Sequence, residues 1–321
     1  MNATTGGYYF APPSKWPIIG STALLFMAAG GAMAMNQIQP YGWTALAIGF
    51  AILVYMLFGW FGQVINESES GLYNPQVDTS FRWSMSWFIF SEIMFFAAFF
   101  GALYYARSFS VPWLGDMDNA LIWQGYDAKW PTLGPYIGQT ASNQFGAMSP
   151  WGIPLLNTVL LLSSGVTVTW AHHALKANHR GQLITGLFLT VALGFTFLGF
   201  QIYEYMHAYS ELNLKLTSGV FGSTFYMLTG FHGFHVTLGA VMLTVIMFRC
   251  IKGHFKPNQH FGFEAVSWYW HFVDVVWLGL FLFVYVLVQT NADLTHRKWA
   301  TSGPFSIVAK KSNIPHLLRI I

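Results

Sequence analysis

The chain has 321 residues, of which 54% are hydrophobic and 18% aromatic while only 8% are charged, against roughly a quarter charged in an ordinary soluble domain. Its 15 Lys+Arg and 12 Asp+Glu leave a net charge of +3; these are too few charges to cover a soluble surface or attract a polyanion, so a soluble enzyme, a disordered chain and a nucleic-acid binder are excluded. The lone Cys250 excludes, within this chain, a disulfide framework, a zinc ribbon, an all-cysteine iron–sulfur site and a dinuclear copper site with paired cysteines.

A transmembrane helix needs about 20 mostly apolar residues, so stretches without charge predict the spans. Residues 1–16 lack the basic n-region of a signal peptide and read as a cytoplasmic N-terminal segment. Spans one and two are predicted over Pro17–Asn36 and Tyr41–Asn66, a two-helix unit covering 17–66. Span three lies between Arg82 and Arg107, with Glu92 its single charge. Residues 108–152, rich in Trp, Pro and Gly, read as a long outer loop. Spans four to six are predicted over Ile153–Leu175, Gly181–Tyr203 and Leu216–Phe248, and span seven over Ala265–Ala292, where Asp274 is the only charge. Residues 83–288 thus read as a five-helix bundle, and 289–321 as a polar tail with a basic end. A β-barrel would show segments of about 10 residues with alternating polarity, and runs such as LNTVLLLSSGVTVTWAHHAL do not alternate. The expected fold is all-α and polytopic, with seven transmembrane helices.

With a cytoplasmic N-terminus, the inner segments hold Lys15, Arg82, Lys176, Arg180, Arg249, Lys252 and Lys256, and the outer connections only Arg107, Lys129 and Lys215. That bias predicts the N-terminus inside and the C-terminus outside. Five basic residues in the tail oppose it, but a final tail weighs less than loops between spans.

Charged groups at membrane depth are costly and mark function or pairing. Glu92 falls about nine residues into span three, roughly 14 Å deep at 1.5 Å per residue, and Asp274 at similar depth in span seven. His271 precedes Asp274 by three residues, and His232 and His235 are spaced likewise in span six, so each pair shares a helical face. A buried cluster of Glu92, His232, His235, His271 and Asp274 is expected, serving as polar clips between helices, as a proton path, or as ligands to metal or haem. Neighbouring His pairs on one helix do not place ligands on opposite sides of an ion. His172 and His173, being adjacent, point to different faces. His172, His173, His179, His254 and His260 sit at the inferred inner face, as proton collectors or as polar helix ends. Arg249 fits a lipid phosphate or simple snorkelling. On these residues alone, a carrier and a complex subunit both stay open.

Five strings narrow the choice. PPSKWPIIGS, FIFSEIMFFAAFF, LLNTVLLLSSGVTVTWAHHAL, GVFGSTFYMLTGFHGFHVTLGA and HFGFEAVSWYWHFVDVVWLGLF occur in order. Together they resemble subunit III of the haem–copper cytochrome c oxidases, from about Trp16 to Leu287. The resemblance implies a chain without catalytic or metal-binding residues of its own, haem and copper belonging to partner subunits I and II. It implies a V-shaped, phospholipid-filled cleft between spans 1–2 and 3–7, packing on subunit I, support of proton uptake, protection of the catalytic subunit during turnover, and a proposed oxygen route through the cleft. Glu92 matches the family's carbodiimide-reactive glutamate, and Trp60, Arg249 and His254 fall at its lipid contacts. The implied setting is a bacterial cytoplasmic membrane with a periplasmic C-terminus. The family's W-R-D-V-x-R-E stretch is replaced by WFGQVINESE, where Gly62 and Asn66 stand for its arginines. The loop 108–152 exceeds the short mammalian one and would suit an extra subunit or a cytochrome. The rivals are a third subunit of a quinol-oxidising oxidase, usually with five spans, and a proton-coupled transporter using Glu92 and Asp274.

Overall fold

A computed structural model describes Tyr9, residues 12–135 and residues 144–288. The tail 289–321, the predicted end of span seven at Ala292, most of segment 1–16 and part of loop 108–152 lie outside the described residues. Within them the chain is all-helical, apart from one isolated bridge between Lys256 and Gln259. Among the described residues, seven helices are long and apolar enough to cross a membrane. They are α1 (Trp16–Met35), α2 (Tyr41–Glu69), α3 (Pro75–Tyr105), α4 (Ile153–Lys176), α5 (Arg180–Ser210), α6 (Gly219–Lys252) and α7 (Phe261–Leu280). Two of them run on through π-helical turns, α3 through Ala106–Ser110 into Val111–Leu114, and α7 through Phe281–Val286. The first seven residues of the expected loop 108–152 are therefore helical, because Phe109, Val111 and Trp113 continue the apolar run past Arg107, whose guanidinium donates to the Leu287 carbonyl at 3.3 Å.

The chain divides into two compact units, Met1–Met85 and Ser86–Ile321. In the first, α1 and α2 pack along stripes repeating every seven residues: Trp16, Ala23 and Gly30 on one, Gly42, Gly49 and Met56 on the other. Small residues let membrane helices approach closely, where dispersion replaces the absent hydrophobic drive. A side chain on Gly30 would stand 2.9 Å from the Gly42 carbonyl oxygen, so that crossing point requires glycine. At the far end, Trp16 Nε1–H donates to Gln63 Oε1 (2.8 Å), Gln63 Nε2–H to Glu67 Oε1 (2.9 Å) and Tyr73 Oη–H to Glu67 Oε2 (2.9 Å). Burial, then the hydrogen bond and negative charge of Glu67, push the Tyr73 phenol above its ordinary value of 10.0.

In the second unit the core lies on α7. Trp270 and Trp277 are fully buried, one heptad apart. Their indole N–H groups donate to Ser164 Oγ and Thr158 Oγ1 of α4, each at 2.9 Å. Trp270 is seated between Gly194 of α5 and Gly239 of α6. Its one bond satisfies the only polar atom that it brings inside. Outward-facing Phe188, Phe195, Phe234, Val241 and Val275 are exposed, as expected for helices whose solvent is hydrocarbon rather than water.

Candidate functional site

Glu92 on α3 meets His235 on α6. His235 Nδ1 lies 2.7 Å from the Phe231 carbonyl one turn earlier, an atom that can only accept, so Nδ1 carries a hydrogen. Nε2 lies 2.9 Å from Glu92 Oε2. That contact holds one proton, either on the acid, facing a neutral imidazole, or on the ring, facing a carboxylate. Both arrangements are neutral overall, which is the form a low-dielectric interior tolerates. Aromatic rings enclose the imidazole: Phe96 at 5.0 Å, Phe95 and Phe234 at 5.9 Å, and Tyr269, stacked nearly parallel, at 6.4 Å. The Glu92 side chain keeps 22% exposure, so the pair is reachable from one side.

The remaining members of the expected cluster are elsewhere. Asp274 Oδ2 lies 3.4 Å from His271 Nδ1, and His271 Nε2 lies 3.2 Å from Thr169 Oγ1 of α4. Gly165 makes room for this second pair, since a Cβ there would stand 2.5 Å from Asp274 Oδ2. Among the described residues no hydrogen bond joins it to Glu92–His235. Phe272, two residues before Asp274 on α7, borders His235, and two residues carry a helix about 200° round its axis. His232 is fully buried and its Nε2–H donates to the Val273 carbonyl at 3.0 Å, pinning α6 to α7. The expected single cluster is thus two carboxylate–imidazole pairs and one helix clip.

Two further carboxylates, each at the edge of an uncharged stretch of the sequence, are buried. Glu204 on α5 is fully buried and accepts from Tyr285 Oη at 2.6 Å. Its signal was periodic: Phe197, Gln201, Glu204 and Ala208 form one buried stripe. Glu264, in the first turn of α7, is 8% exposed and lies between His172 and His260. Of the other inner-face histidines, His173 and His179 are exposed and His254 is half-buried.

At the lipid-contact positions, Trp60 is 45% exposed on α2. The Arg249 guanidinium lies over the Phe255 ring at 4.3 Å and borders Gly262 at the start of α7. Arg180 donates to the last carbonyls of α6, Cys250 (2.7 Å) and Ile251 (3.2 Å), an arrangement sequence reading did not foresee and one the helix dipole favours.

Seven apolar helices, with interior carboxylates that face imidazole or accept from a phenol, define a polytopic membrane protein. The chain belongs to the cytochrome c oxidase subunit III family, whose model matches residues 7–289. It is 40% identical over 279 residues to cytochrome c oxidase subunit 3 of Prototheca wickerhamii, covering 87% of this chain and 96% of that one. The Marchantia polymorpha protein of the same name is also 40% identical, over 87% and 95% of the two chains. The Loxodonta africana one is 38% identical over 286 residues, 89% and 98%.

Proposed function

We propose that the chain is the non-redox third subunit of a cytochrome c oxidase, an oxygen-reducing, proton-translocating oxidoreductase of the aerobic respiratory chain. The family match across all seven spans carries this reading. Haem and copper belong to subunits I and II, and this chain packs chiefly on subunit I, binds phospholipids, supports proton uptake and protects the catalytic subunit from inactivation in turnover. The setting is a bacterial cytoplasmic membrane, with the N-terminus cytoplasmic and the C-terminus periplasmic. Glu92–His235 suits a role in proton supply, because a carboxylate–imidazole contact of 2.9 Å holds one proton without net charge. The residues around Trp60, Arg249 and His254 are the lipid contacts, and the outer loop 108–152 is where an extra subunit or a cytochrome docks.

The test is removal. Stripping this chain from the purified complex is expected to leave oxygen reduction running at first, with slower proton uptake and progressive inactivation. Immediate complete loss, with haem or copper leaving on this chain, overturns the reading. Arg249→Ala is expected to loosen one phospholipid by mass spectrometry of the complex, and unchanged retention removes the lipid role.

A further inference from the structure

We propose that His172, His260 and Glu264 form a binding site for a divalent transition-metal ion, with zinc the best match. His260 and Glu264 are one turn apart at the start of α7, and His172 reaches them from the last turns of α4. The Nε2 atoms of His172 and His260 lie 3.4 and 3.3 Å from the same oxygen, Glu264 Oε1. All three ligand atoms fall within 4.8 Å of one another.

The two Nε2 atoms approach the same carboxylate oxygen without hydrogen-bonding to it. Both nitrogens are buried, and neither has a hydrogen-bond partner. His260 Nδ1 faces the Lys256 carbonyl at 3.2 Å and must donate to it, which leaves the lone pair of the neutral ring on Nε2, aimed at Glu264. A backbone carbonyl holding the far nitrogen of an imidazole is the usual outer support of a metal-bound histidine. A cation placed among them would meet two imidazole nitrogens and a carboxylate oxygen at once.

The spacing selects the ion. Zinc binds imidazole nitrogen at about 2.0–2.1 Å and carboxylate oxygen at about 2.0–2.2 Å, so neighbouring ligands of a tetrahedral site stand roughly 3.3–3.5 Å apart. The two distances to Glu264 match that edge. Two imidazoles with one carboxylate suit zinc, whereas calcium and magnesium take oxygen ligands. The fourth position is left for water, and the 20% exposure of the His172 side chain leaves an approach to it. An ion here ties the end of α4 to the start of α7 and withdraws two histidines from proton exchange. Sequence reading assigned no metal ligand to this chain, having used Glu264 only to mark the start of a span.

The experiment is zinc titration of the chelator-treated, detergent-purified complex, with bound metal counted by mass spectrometry. The natural complex is expected to take up one zinc equivalent more than complexes carrying His260→Ala or Glu264→Gln. A control, His207→Ala, near the far end of α5, is expected to bind as the natural chain does. Equal uptake by natural and His260→Ala complexes overturns the proposal. If the variants do not assemble, X-ray absorption on the zinc-loaded natural complex decides: imidazole nitrogen and carboxylate oxygen shells near 2.0–2.2 Å support the site, and zinc without imidazole scattering refutes it.

Discussion

His235→Phe keeps a ring of similar size in an aromatic surround and removes the atom that faces Glu92. Glu92→Leu removes the other side. Each single change carries side costs: the Phe231 carbonyl loses its imidazole donor in the first, and an ionisable group leaves the membrane in the second. A double-mutant cycle cancels these and isolates the contact itself. The bond is 2.9 Å long and ringed by Phe95, Phe96 and Tyr269. Hydrogen bonds to charged groups contribute about 1.5–3 kcal/mol in proteins generally, while those between membrane helices average about 0.6 and reach about 1.7. The 22% exposure of Glu92 puts this one below the full buried value, so the expected coupling is about 1–1.5 kcal/mol. The assay is reversible unfolding of the chain in mixed micelles by a denaturing detergent. A coupling below about 0.3 kcal/mol, within the usual error of additivity, refutes the pairing. Glu92→Gln then locates the proton. An amide N–H replaces the acid as donor to a neutral ring and keeps most of the coupling, whereas an ion pair loses it.

Three further outcomes follow from the packing. Gly165→Ala drives a methyl group to 2.5 Å from Asp274 Oδ2, and overpacking of this kind costs about 1–3 kcal/mol; an unchanged melting temperature would mean that Asp274 does not face α4. Trp277→Phe removes the 2.9 Å bond to Thr158 and opens a small cavity, a loss of about 1–2 kcal/mol, and Thr158→Val in the same background is expected to cost little more. For Tyr73 the phenol is raised in the folded chain; folded protein therefore holds its proton where unfolded protein has lost it, and stability falls as pH rises beyond about 10. Tyr73→Phe is expected to flatten that alkaline slope, measured by thermal denaturation across pH, and an identical slope refutes the raised phenol.

The seven helices were legible because hydrocarbon tolerates few charges, and the start of α4 at Ile153 fell where the sequence placed it. The ends were less legible wherever a charge was not a boundary. Glu204 is bonded to Tyr285 inside the bundle, so α5 runs on to Ser210 rather than stopping at Tyr203. Arg82 is held by Asp78 at 2.8 Å, four residues earlier, so α3 begins at Pro75. Sequence spacing placed His232 and His235 on one face but could not say what each meets. That is decided by how far each helix is rotated, which sets a backbone carbonyl against one and a carboxylate against the other. His172 and Glu264 are 92 positions apart in the numbering, and nothing local ties them.

The π-helical turn at Phe281–Val286 acts as a phase shifter on α7. Trp270 and Trp277 are seven residues apart, which returns an α-helix to within about 20° of the same bearing. Tyr285 is eight residues beyond Trp277, and in an unbroken α-helix it would stand about 80° away. A π turn absorbs one surplus residue, so eight residues do the angular work of seven and the phenol lands on the tryptophan side, 6.1 Å from Trp277 and bonded to Glu204. The helix therefore carries its own tolerance for a change in length. Deleting one residue between Trp277 and Tyr285 could convert the turn to plain α-helix and leave the phenol on its carboxylate, whereas the same deletion between Trp270 and Trp277 would turn every later side chain by about 100°.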